Sequence, residues 1–398
     1  MTIIKEICKT KSINMNYLLC FDKYKGTYSA EEVCNLTKTV LNSLLENKSI
    51  LLPLADGGDG TLDCLLSYLP LVREDIEVTD PLGKKVNSYY LGDKRKKTAY
   101  LEMSLYSGLS LLSDKERNPL KTSSKGSGEA TLAAIRSGYK TIVIGLGGSA
   151  EDDGGAGFLS GLGMKFLNKE GKTIAWLSNE TLKDIKDIDD SEFKENIRGI
   201  QFVALSDVDN KLLGEDGATY VYARQKGAEE KDLPLLEENM KSFSSLVKQK
   251  TSADYSEFPG SGAAGGFGFA LRSFCNASFF SGSDYLMNLA SFTRRLNEAD
   301  IVITGEGRTD LSTLEGKIIG KVIKESLAAQ KKVILLSGSV SPSFRKEYKD
   351  NSSVIISPLF KEGKFTKEKA LLNKQELFSQ ALLKALQELK IREEEKQR

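Results

Sequence analysis

The sequence predicts an α/β fold with two domains, one of them a doubly wound parallel sheet of the Rossmann-like kind, on three observations. At 398 residues the chain is too long for a single compact core. Its apolar runs are short and continuous rather than alternating, which is typical of strands buried on both faces of a parallel sheet. Helix-like segments separate the runs, and a loop bearing glycine or aspartate follows each one. The runs are Tyr17–Phe21, Ile50–Leu54, Thr141–Leu146, Phe202–Leu205, Ile301–Thr304 and Val333–Leu336.

Local signals predict where several helices begin and end. Ser29 and Glu32 have the spacing of a capping box, which opens a helix after the first run. A second helix is predicted over Gly128–Arg136, and Gly138 ends it just before the third run. The C-terminal segment is predicted to be an amphipathic helix, because four apolar residues recur at helical spacing. These are Phe378, Leu382, Leu386 and Leu389.

Two stretches interrupt this alternation and predict an inserted domain. Residues 78–112 alternate polar and apolar side chains around turns at Pro81–Gly83 and Gly92–Asp93, as antiparallel strands do. Residues 211–261 combine charge runs with one helix near Leu235–Val247. The predicted boundaries are 15–76 plus 125–160 plus 265–392 for the Rossmann-like domain, and 77–124 plus 161–264 for an inserted mixed α/β domain.

The composition excludes several classes of chemistry and of partner. The chain contains no histidine, which excludes Ser-His-Asp catalysis, histidine-ligated zinc and an imidazole proton shuttle. Its formal net charge of +1 gives no reason to expect nucleic acid or a membrane as a partner. Five scattered cysteines without a CxxC pair, and no apolar run long enough for a signal peptide or a bilayer span, predict a cytoplasmic protein. We expect a monomer or homodimer that binds a small molecule.

The clearest local motif is the glycine turn at 55–61, which follows the second apolar run. Gly57, Gly58 and Gly60 let the backbone bend sharply, and amides leading into a helix at Thr61 can bind an anion. Asp56 and Asp59 would repel a bare phosphate, so a bridging Mg2+ is expected between them and the anion. The alternative is a tight strand-to-helix turn without a ligand, capped by Asp59 or Thr61.

A second glycine-rich loop, 145–157, follows the third run. It fits the dinucleotide fingerprint only superficially, because an acidic triplet follows where a helix should begin. A long glycine loop at the carboxyl end of a strand is nevertheless the expected place for a ligand in an open α/β sheet, which makes Gly147, Gly148 and Ser149 candidates. The alternative is a flexible connection that binds nothing.

A third loop carries alternating charged residues after the run at Ile301–Thr304. Glu306, Arg308 and Asp310 would point one way on an extended backbone, and the guanidinium could clamp a carboxylate or a phosphate. Lys317 could add a second cation. The alternative for the first three residues is a structural ion-pair cluster.

Two further loops place polar residues at strand ends. Asp207 and Asn210 follow the fourth run, and their side chains suit a metal or a substrate hydroxyl. Asp22 and Lys25 follow the first run, where the lysine could meet a phosphate and the aspartate a hydroxyl or a metal. The alternatives are a capped turn and an ordinary surface loop.

Taken in order, these motifs resemble those of the type I glycerate kinase family (glycerate 2-kinase), over roughly Met15 to Val340. The sequence departs from the family pattern at Lys23, Asp59, Lys125 and at Glu151-Asp152, where the family has Thr-Asn. The matching segments begin with Asp22-x-Tyr24-Lys25-Gly26 and continue through Asp56–Thr61, Arg117–Leu120, Gly126–Glu129, Gly147–Ala150, Asp153–Gly157, Asp207-Val208-x-Asn210, Gln225–Ala228, Gly262–Gly266 and Thr304–Asp310.

The resemblance implies ATP-dependent phosphorylation of D-glycerate, with Mg2+ and in-line transfer to give 2-phosphoglycerate, in a cleft between two α/β domains. With no histidine available, a carboxylate must orient or deprotonate the hydroxyl. The predicted catalytic residues are Asp207, Lys25 and Asp22, and the predicted substrate-binding residues are Arg308, Glu306, Asp310 and Asn210. The predicted nucleotide- or phosphate-binding residues are Gly57, Gly58, Gly60, Thr61, Gly147, Gly148, Ser149 and Lys317, and the predicted metal ligands are Asp56 and Asp59.

Two other functions remain open at this point. The glycine turn also resembles that of NAD kinases and diacylglycerol kinases, and a non-catalytic ligand-sensing protein could keep the same loops. The family pattern starts close to the first strand, so residues 1–14 are expected to be an N-terminal extension, or translation to begin at Met15.

Overall fold

A computed structural model of the chain describes residues 15–44, 47–314, 316–360 and 367–396, so the predicted extension at 1–14 lies outside the described residues. The chain divides into two compact units. The first unit takes in the described residues up to Ala55, Asp63–Leu69 and the described residues from Ser283 onward. The second unit consists of Asp56–Leu62 and Pro70–Gly282.

The strands of the described residues form two large sheets and two short ribbons. In chain order they are β1 Met15–Phe21, β2 Asn47–Leu51, β3 Val72–Thr79, β4 Lys85–Asp93, β5 Thr98–Glu102, β6 Thr141–Gly145, β7 Lys165–Leu167, β8 Asp187–Asp189, β9 Gln201–Leu205, β10 Ser278–Phe280, β11 Ile301–Gly305, β12 Arg308–Thr309, β13 Lys332–Leu335, β14 Ser339–Val340 and β15 Val354–Ile356.

Helices lie between these strands along the chain. The α-helices are Ala30–Leu44, Thr61–Tyr68, Ser104–Ser107, Lys125–Arg136, Ala156–Gly161, Asn179–Leu182, Ser191–Asn196, Ala218–Tyr222, Leu233–Thr251, Ala263–Cys275, Gly282–Leu289, Phe292–Glu298, Ile318–Ala328, Pro342–Glu347, Lys367–Leu372 and Lys374–Lys396. The 3-10 helices are Leu109–Leu111, Arg224–Lys226, Glu230–Asp232 and Leu311–Leu314.

The first unit is built on a five-stranded sheet in the order β15-β13-β11-β1-β2, in which every neighbouring pair is parallel. Alternate residues of its strands enter two separate apolar cores. Leu19 and Ile303 pack with helices Ala30–Leu44 and Lys374–Lys396, whereas Leu18 and Val302 belong to the core of the opposite face. Helices therefore cover both faces, which confirms the α/β fold with a parallel sheet.

The second unit is built on a six-stranded sheet in the order β10-β9-β6-β5-β4-β3. The strands from β10 to β5 are parallel, and the hairpins at the other edge are antiparallel. The predicted turn at Pro81–Gly83 is confirmed, with Gly83 at φ +94°. The next turn lies at 94–97 rather than at Gly92–Asp93, because those two residues still pair with β5.

The predicted helices are present. The Ser29 amide donates to Glu32 Oε2 over 2.8 Å, and the Glu32 amide donates to Ser29 Oγ over 3.1 Å, so the capping box forms. Phe378 and Leu382 are buried against the first sheet, as the C-terminal periodicity predicts. No helix among the described residues is long and apolar enough to cross a membrane.

The division between units differs from the predicted domain boundaries. The sequence predicts residues 56–62, 70–76, 125–160 and 265–282 to belong to the Rossmann-like domain, yet they lie in the second unit. The physical reason is strand pairing, since β6 pairs with β5 and β9 rather than with a strand of the five-stranded sheet. A run such as Thr141–Leu146 identifies a buried parallel strand, but both sheets contain such strands.

Candidate active site

In the second unit, the two predicted glycine loops lie in direct backbone contact. A Cβ atom on Gly145 would lie 2.2 Å from the Gly57 carbonyl oxygen, and one on Gly147 would lie 2.5 Å from Gly58 Cα. Any side chain at Gly145 or Gly147 would therefore push the two backbones apart. The turn 56–61 and the loop after β6, separated by some 85 positions in sequence, form one structural site.

The end of β9 completes this group. The Leu146 amide donates to the Leu205 carbonyl over 3.1 Å, and a Cβ atom on Gly57 would lie 3.2 Å from Leu205 Cβ. Asp207 follows β9 two residues later and is exposed, with its Oδ1 accepting a hydrogen bond from Ser281 Oγ over 2.6 Å. An oriented, accessible carboxylate therefore follows the strand end that touches the glycine loops.

The amides of the glycine turn are not exposed in the way the sequence suggests. The Gly58 amide donates to Asp56 Oδ1 over 3.0 Å, and the Thr61 amide donates to the Gly58 carbonyl over 3.1 Å. The Gly60 amide donates over 2.9 Å to a buried carboxylate that sequence reasoning missed, that of Glu102. The predicted anion site at the start of helix Thr61–Tyr68 is therefore filled from within the protein, and nucleotide binding by this turn stays a prediction.

The metal role predicted for the two aspartates of the turn stays a prediction. Asp56 and Asp59 are half-buried, and Asp56 Oδ1 is used by the Gly58 amide. Among the described residues, no group of three or more His, Cys, Asp or Glu could hold a metal ion. Kinases hold Mg2+ with one or two carboxylates together with the phosphates of the nucleotide, so a pair of aspartates is a sufficient protein contribution.

Asn210 has both ends of its side-chain amide engaged within the protein. Its Nδ2 donates to the Asp216 carbonyl over 2.8 Å, and its Oδ1 accepts from the Tyr222 hydroxyl over 2.6 Å. These bonds fix the loop after β9. Asn210 thus supports the shape of the loop in this structure, and its predicted contact with substrate stays a prediction.

The acidic triplet of the second loop is completely buried. Asp153 accepts hydrogen bonds from the Ser124 amide at 2.8 Å, the Ser124 hydroxyl at 2.7 Å and the Gly155 amide at 2.9 Å. Asp152 accepts from the Thr219 hydroxyl over 2.9 Å, and its Oδ1 has no hydrogen-bond partner among the described residues, nor has Glu151 Oε1. Sequence reasoning placed these carboxylates in a ligand loop, whereas the structure uses them inside the unit.

Among the residues that the structure describes, one buried cation accompanies this triplet. Lys226 is 2% exposed, and its Nζ donates to the Glu151 carbonyl over 2.5 Å. Burial raises the pKa of Glu151 well above its usual range, and the neighbouring Asp153 raises it further. Burial also raises the pKa of Asp152 to about 6, although Lys226 opposes the shift. One lysine does not neutralise three carboxylates, so the buried cluster favours retention of protons.

In the first unit, the charged loop after β11 does not present its three residues as one group. Glu306 is buried, and its Oε1 accepts hydrogen bonds from Thr313 Oγ1 at 2.7 Å and Thr309 Oγ1 at 3.2 Å. The side chain of Arg308 is 76% exposed, and its Nε lies 3.5 Å from Asp310 Oδ2. The backbone bends between Glu306 and Arg308, so strict alternation does not hold. Glu306 anchors the loop, and Arg308 with Asp310 forms the accessible part.

The loop after β1 lies beside this accessible part. The Asp22 amide donates to the Gly305 carbonyl over 3.1 Å, and a Cβ atom on Gly307 would lie 3.4 Å from the Lys25 amide nitrogen. Lys25 is exposed and Asp22 is half-buried. The exposed Lys317 donates to Ser312 Oγ over 2.7 Å. The structure thus brings the two predicted loops of this unit together, and the cationic residues Lys25, Arg308 and Lys317 lie on them or near them.

Comparison with known proteins identifies the family of the chain that carries these loops. The model of the glycerate kinase family matches residues 17–389. The chain belongs to the glycerate kinase family. It is 38% identical to a glycerate kinase of Bacillus cereus over 86% of this chain and 90% of that protein. It is 33% identical to a glycerate 2-kinase of Escherichia coli over 88% of this chain and 92% of that protein.

A solved structure agrees with the fold of this glycerate kinase family member. The protein comes from Salmonella typhimurium LT2 and carries the provisional name glycerate kinase 2. It matches with a TM-score of 0.76 and 30% sequence identity, over 96% of this chain and 98% of that chain. Within this family member, sequence reasoning found the loops and missed Glu102. The only signal for Glu102 was an acidic residue ending an otherwise apolar strand, Thr98–Glu102.

Proposed function

We propose that the chain is an ATP-dependent kinase that phosphorylates D-glycerate at its 2-hydroxyl, giving 2-phosphoglycerate and ADP. Membership in the glycerate kinase family supports ATP as donor and glycerate as acceptor. The name of the E. coli relative supports the 2-hydroxyl. The observation that carries the proposal is the backbone contact between the two glycine loops, beside the strand end that leads to Asp207.

Asp207 is assigned to the glycerate hydroxyl. In the reaction the hydroxyl oxygen forms a bond to the γ-phosphorus, the bond from that phosphorus to the bridging oxygen of ADP breaks, and the hydroxyl proton passes to the carboxylate. Asp207 suits this role because it is exposed and because the hydrogen bond from Ser281 orients its carboxylate.

The remaining candidate residues are assigned to binding Mg2+ and the substrates and to neutralising the charge of the phosphates. In the second unit, Asp56 and Asp59 would hold Mg2+, which when bound would neutralise charge on the phosphate oxygens. Gly147, Gly148 and Ser149 are assigned to the nucleotide phosphates. In the first unit, Lys25 and Lys317 are assigned to phosphate, Arg308 to the substrate carboxylate with Asp310 orienting its guanidinium, and Asp22 to a hydroxyl. The buried Glu306 stabilises the loop by accepting hydrogen bonds from Thr313 and Thr309.

The carboxylate role of Arg308 gives a specific expectation. Arg308→Lys keeps the charge but loses the planar fork that binds a carboxylate with two parallel hydrogen bonds. We expect the KM for glycerate to rise about tenfold while the KM for ATP stays within about twofold. Steady-state kinetics with each substrate varied in turn measures both values. Arg294→Lys, a change at an exposed arginine on helix Phe292–Glu298 of the same unit, is the matched control. Equal effects of the two changes would contradict the assignment.

The overall function is tested by ADP release in a coupled assay over a panel of small hydroxy-acids, with NAD as a competing acceptor. We expect turnover with D-glycerate and none with NAD. Phosphorus–proton coupling in the NMR spectrum of the product then identifies the phosphorylated carbon. Turnover with NAD alone would support the NAD kinase alternative. Binding of ATP and glycerate without ADP release would support a ligand-sensing protein.

A further inference from the structure

Glu102 is a buried carboxylate that reaches the end of the glycine turn, where helix Thr61–Tyr68 begins. It ends β5, is 2% exposed, and uses both oxygens. Oε1 accepts from the Gly60 amide at 2.9 Å and from Ser104 Oγ at 2.5 Å, and Oε2 accepts from the Leu62 amide at 3.0 Å. These two amides open helix Thr61–Tyr68, and they are the groups that would otherwise bind a phosphate.

The hydrogen bonds make this burial stable. A buried carboxylate without partners is costly, and burial raises the pKa of Glu102, while the bonds from Ser104, Leu62 and Gly60 oppose that rise. Charge-assisted bonds to helix amides are among the stronger ones in proteins, and the negative charge is favoured at a helix N-terminus. Glu102 therefore acts as an internal anion that fixes the end of the turn.

The same residue is tied to the second glycine loop. Glu102 pairs with Gly145 in the register of β5 and β6, and the Met103 amide donates to the Gly145 carbonyl over 3.1 Å. A Cβ atom on Gly148 would lie 3.0 Å from Ser104 Cβ, and Ser104 is the residue that bonds Glu102. Glu102, together with its hydrogen-bond partner Ser104, thus contacts both glycine loops.

From this geometry we infer that Glu102 is a positioning residue, which sets the glycine turn 56–61 against the loop 145–149 so that both meet the Mg2+-bound nucleotide. The role rests on the proposed kinase function. It also implies that the phosphates contact the second loop and Asp56 or Asp59, and not the amides of Gly60 and Leu62. A shifted turn would misplace the two aspartates, whereas Arg308, which is assigned to the substrate carboxylate, belongs to the first unit.

The test is Glu102→Gln, which keeps size and shape but presents an NH2 group to one of the two amides. We expect the KM for MgATP and the Mg2+ concentration for half-maximal rate to rise about tenfold or more, because a hydrogen bond to a charged group is lost. The KM for glycerate should stay within about twofold. Hydrogen exchange should accelerate at the amides of Gly60 and Leu62 and remain unchanged in the first unit.

Three further variants separate positioning from general stability. Ser104→Ala removes one hydrogen bond and should give a smaller rise in the same KM, and Glu102→Asp, which retains the charge but is shorter, should give an intermediate one. Asp80→Asn is the matched control, because Asp80 is another buried carboxylate of this unit that accepts two backbone amides, both at 2.8 Å. It should change the midpoint of unfolding and leave both KM values unchanged.

The inference is overturned if Glu102→Gln changes stability alone, or if it raises both KM values equally. It is also overturned if the exchange of Gly60 and Leu62 is the same in both proteins. If the wild type shows no phosphorylation of glycerate, the proposed function fails. The exchange measurement then still decides whether Glu102 holds the turn.

Discussion

Replacing Asp207 by asparagine is expected to lower kcat for glycerate phosphorylation by about 10² to 10⁴-fold, the usual contribution of a general base. Asparagine has the same shape and can still accept the hydrogen bond from Ser281, so the loop after β9 should keep its conformation. It cannot accept the hydroxyl proton. The KM values for ATP and for glycerate should therefore change by less than about threefold, and the loss should lie in kcat.

The matched control is Asp209→Asn, which makes the same change of charge on an exposed residue of the same loop. Its kcat should stay within about twofold of the wild type. A large loss in both variants would point to the charge of the loop rather than to a base at one position. Full turnover by Asp207→Asn would remove Asp207 from the mechanism, and Asp22 would then be the first carboxylate to test.

The sequence predicts the strands of this protein well because a buried parallel strand needs a continuous apolar run. Its precision is lower at the strand ends. The run Ile50–Leu54 predicts a strand three residues later than β2, Asn47–Leu51. The amides of Leu52 and Leu54 still donate to the carbonyls of Leu19 and Phe21, so the backbone continues beside β1 after the strand. The apolar pattern marks the buried residues, whereas backbone pairing with β1 begins before the run, at Asn47.

The candidate site is less predictable because its contacts join residues distant in sequence. The turn at Asp56–Thr61 has the composition of an open anion site. Yet the amides of Gly60 and Leu62 already donate hydrogen bonds to the carboxylate of Glu102, some 40 residues later. Likewise, Glu151 and Asp152 lie in a glycine loop at which a ligand is predicted, yet both are buried beside Lys226. Local sequence identifies which loops are special. It does not say which groups within them are already satisfied.

The buried triplet leads to a prediction about stability and pH. Burial raises the pKa of Asp152 from 3.8 to about 6, so the folded protein holds this proton to a higher pH than the unfolded chain does. The stability that Asp152 contributes is therefore fully present below pH 4 and is lost as the pH rises through about 6. The rise from 3.8 to about 6 corresponds to roughly 3 kcal/mol between pH values below 4 and above 6, so the second unit should be less stable at pH 7.5 than at pH 4 by up to about that amount, and than at pH 5 by roughly 1.4 kcal/mol.

Asp152→Asn should remove much of this dependence, and it restores the residue of the family pattern. The amide oxygen still accepts the hydrogen bond from Thr219 and cannot ionise. We expect the variant to match the wild type near pH 4 and to be more stable by roughly 2 to 3 kcal/mol at pH 7.5. Trp176, the only tryptophan of the chain, lies in the second unit, so its fluorescence during urea unfolding follows that unit.

The result depends on a competition between burial and the charge of Lys226. Lys226 lowers the pKa of Asp152, whereas burial, Asp153 and Glu237 raise it, and burial is the largest effect. If burial dominates, removing the carboxylate stabilises the fold at neutral pH. If Asp152 instead serves as the counter-ion of Lys226, the variant leaves a buried cation less compensated and is less stable than the wild type at pH 7.5. The sign of the difference in unfolding free energy between Asp152→Asn and the wild type at pH 7.5 therefore distinguishes the two cases. A more stable variant means that burial of the carboxylate dominates, and a less stable variant means that Asp152 is the counter-ion of Lys226.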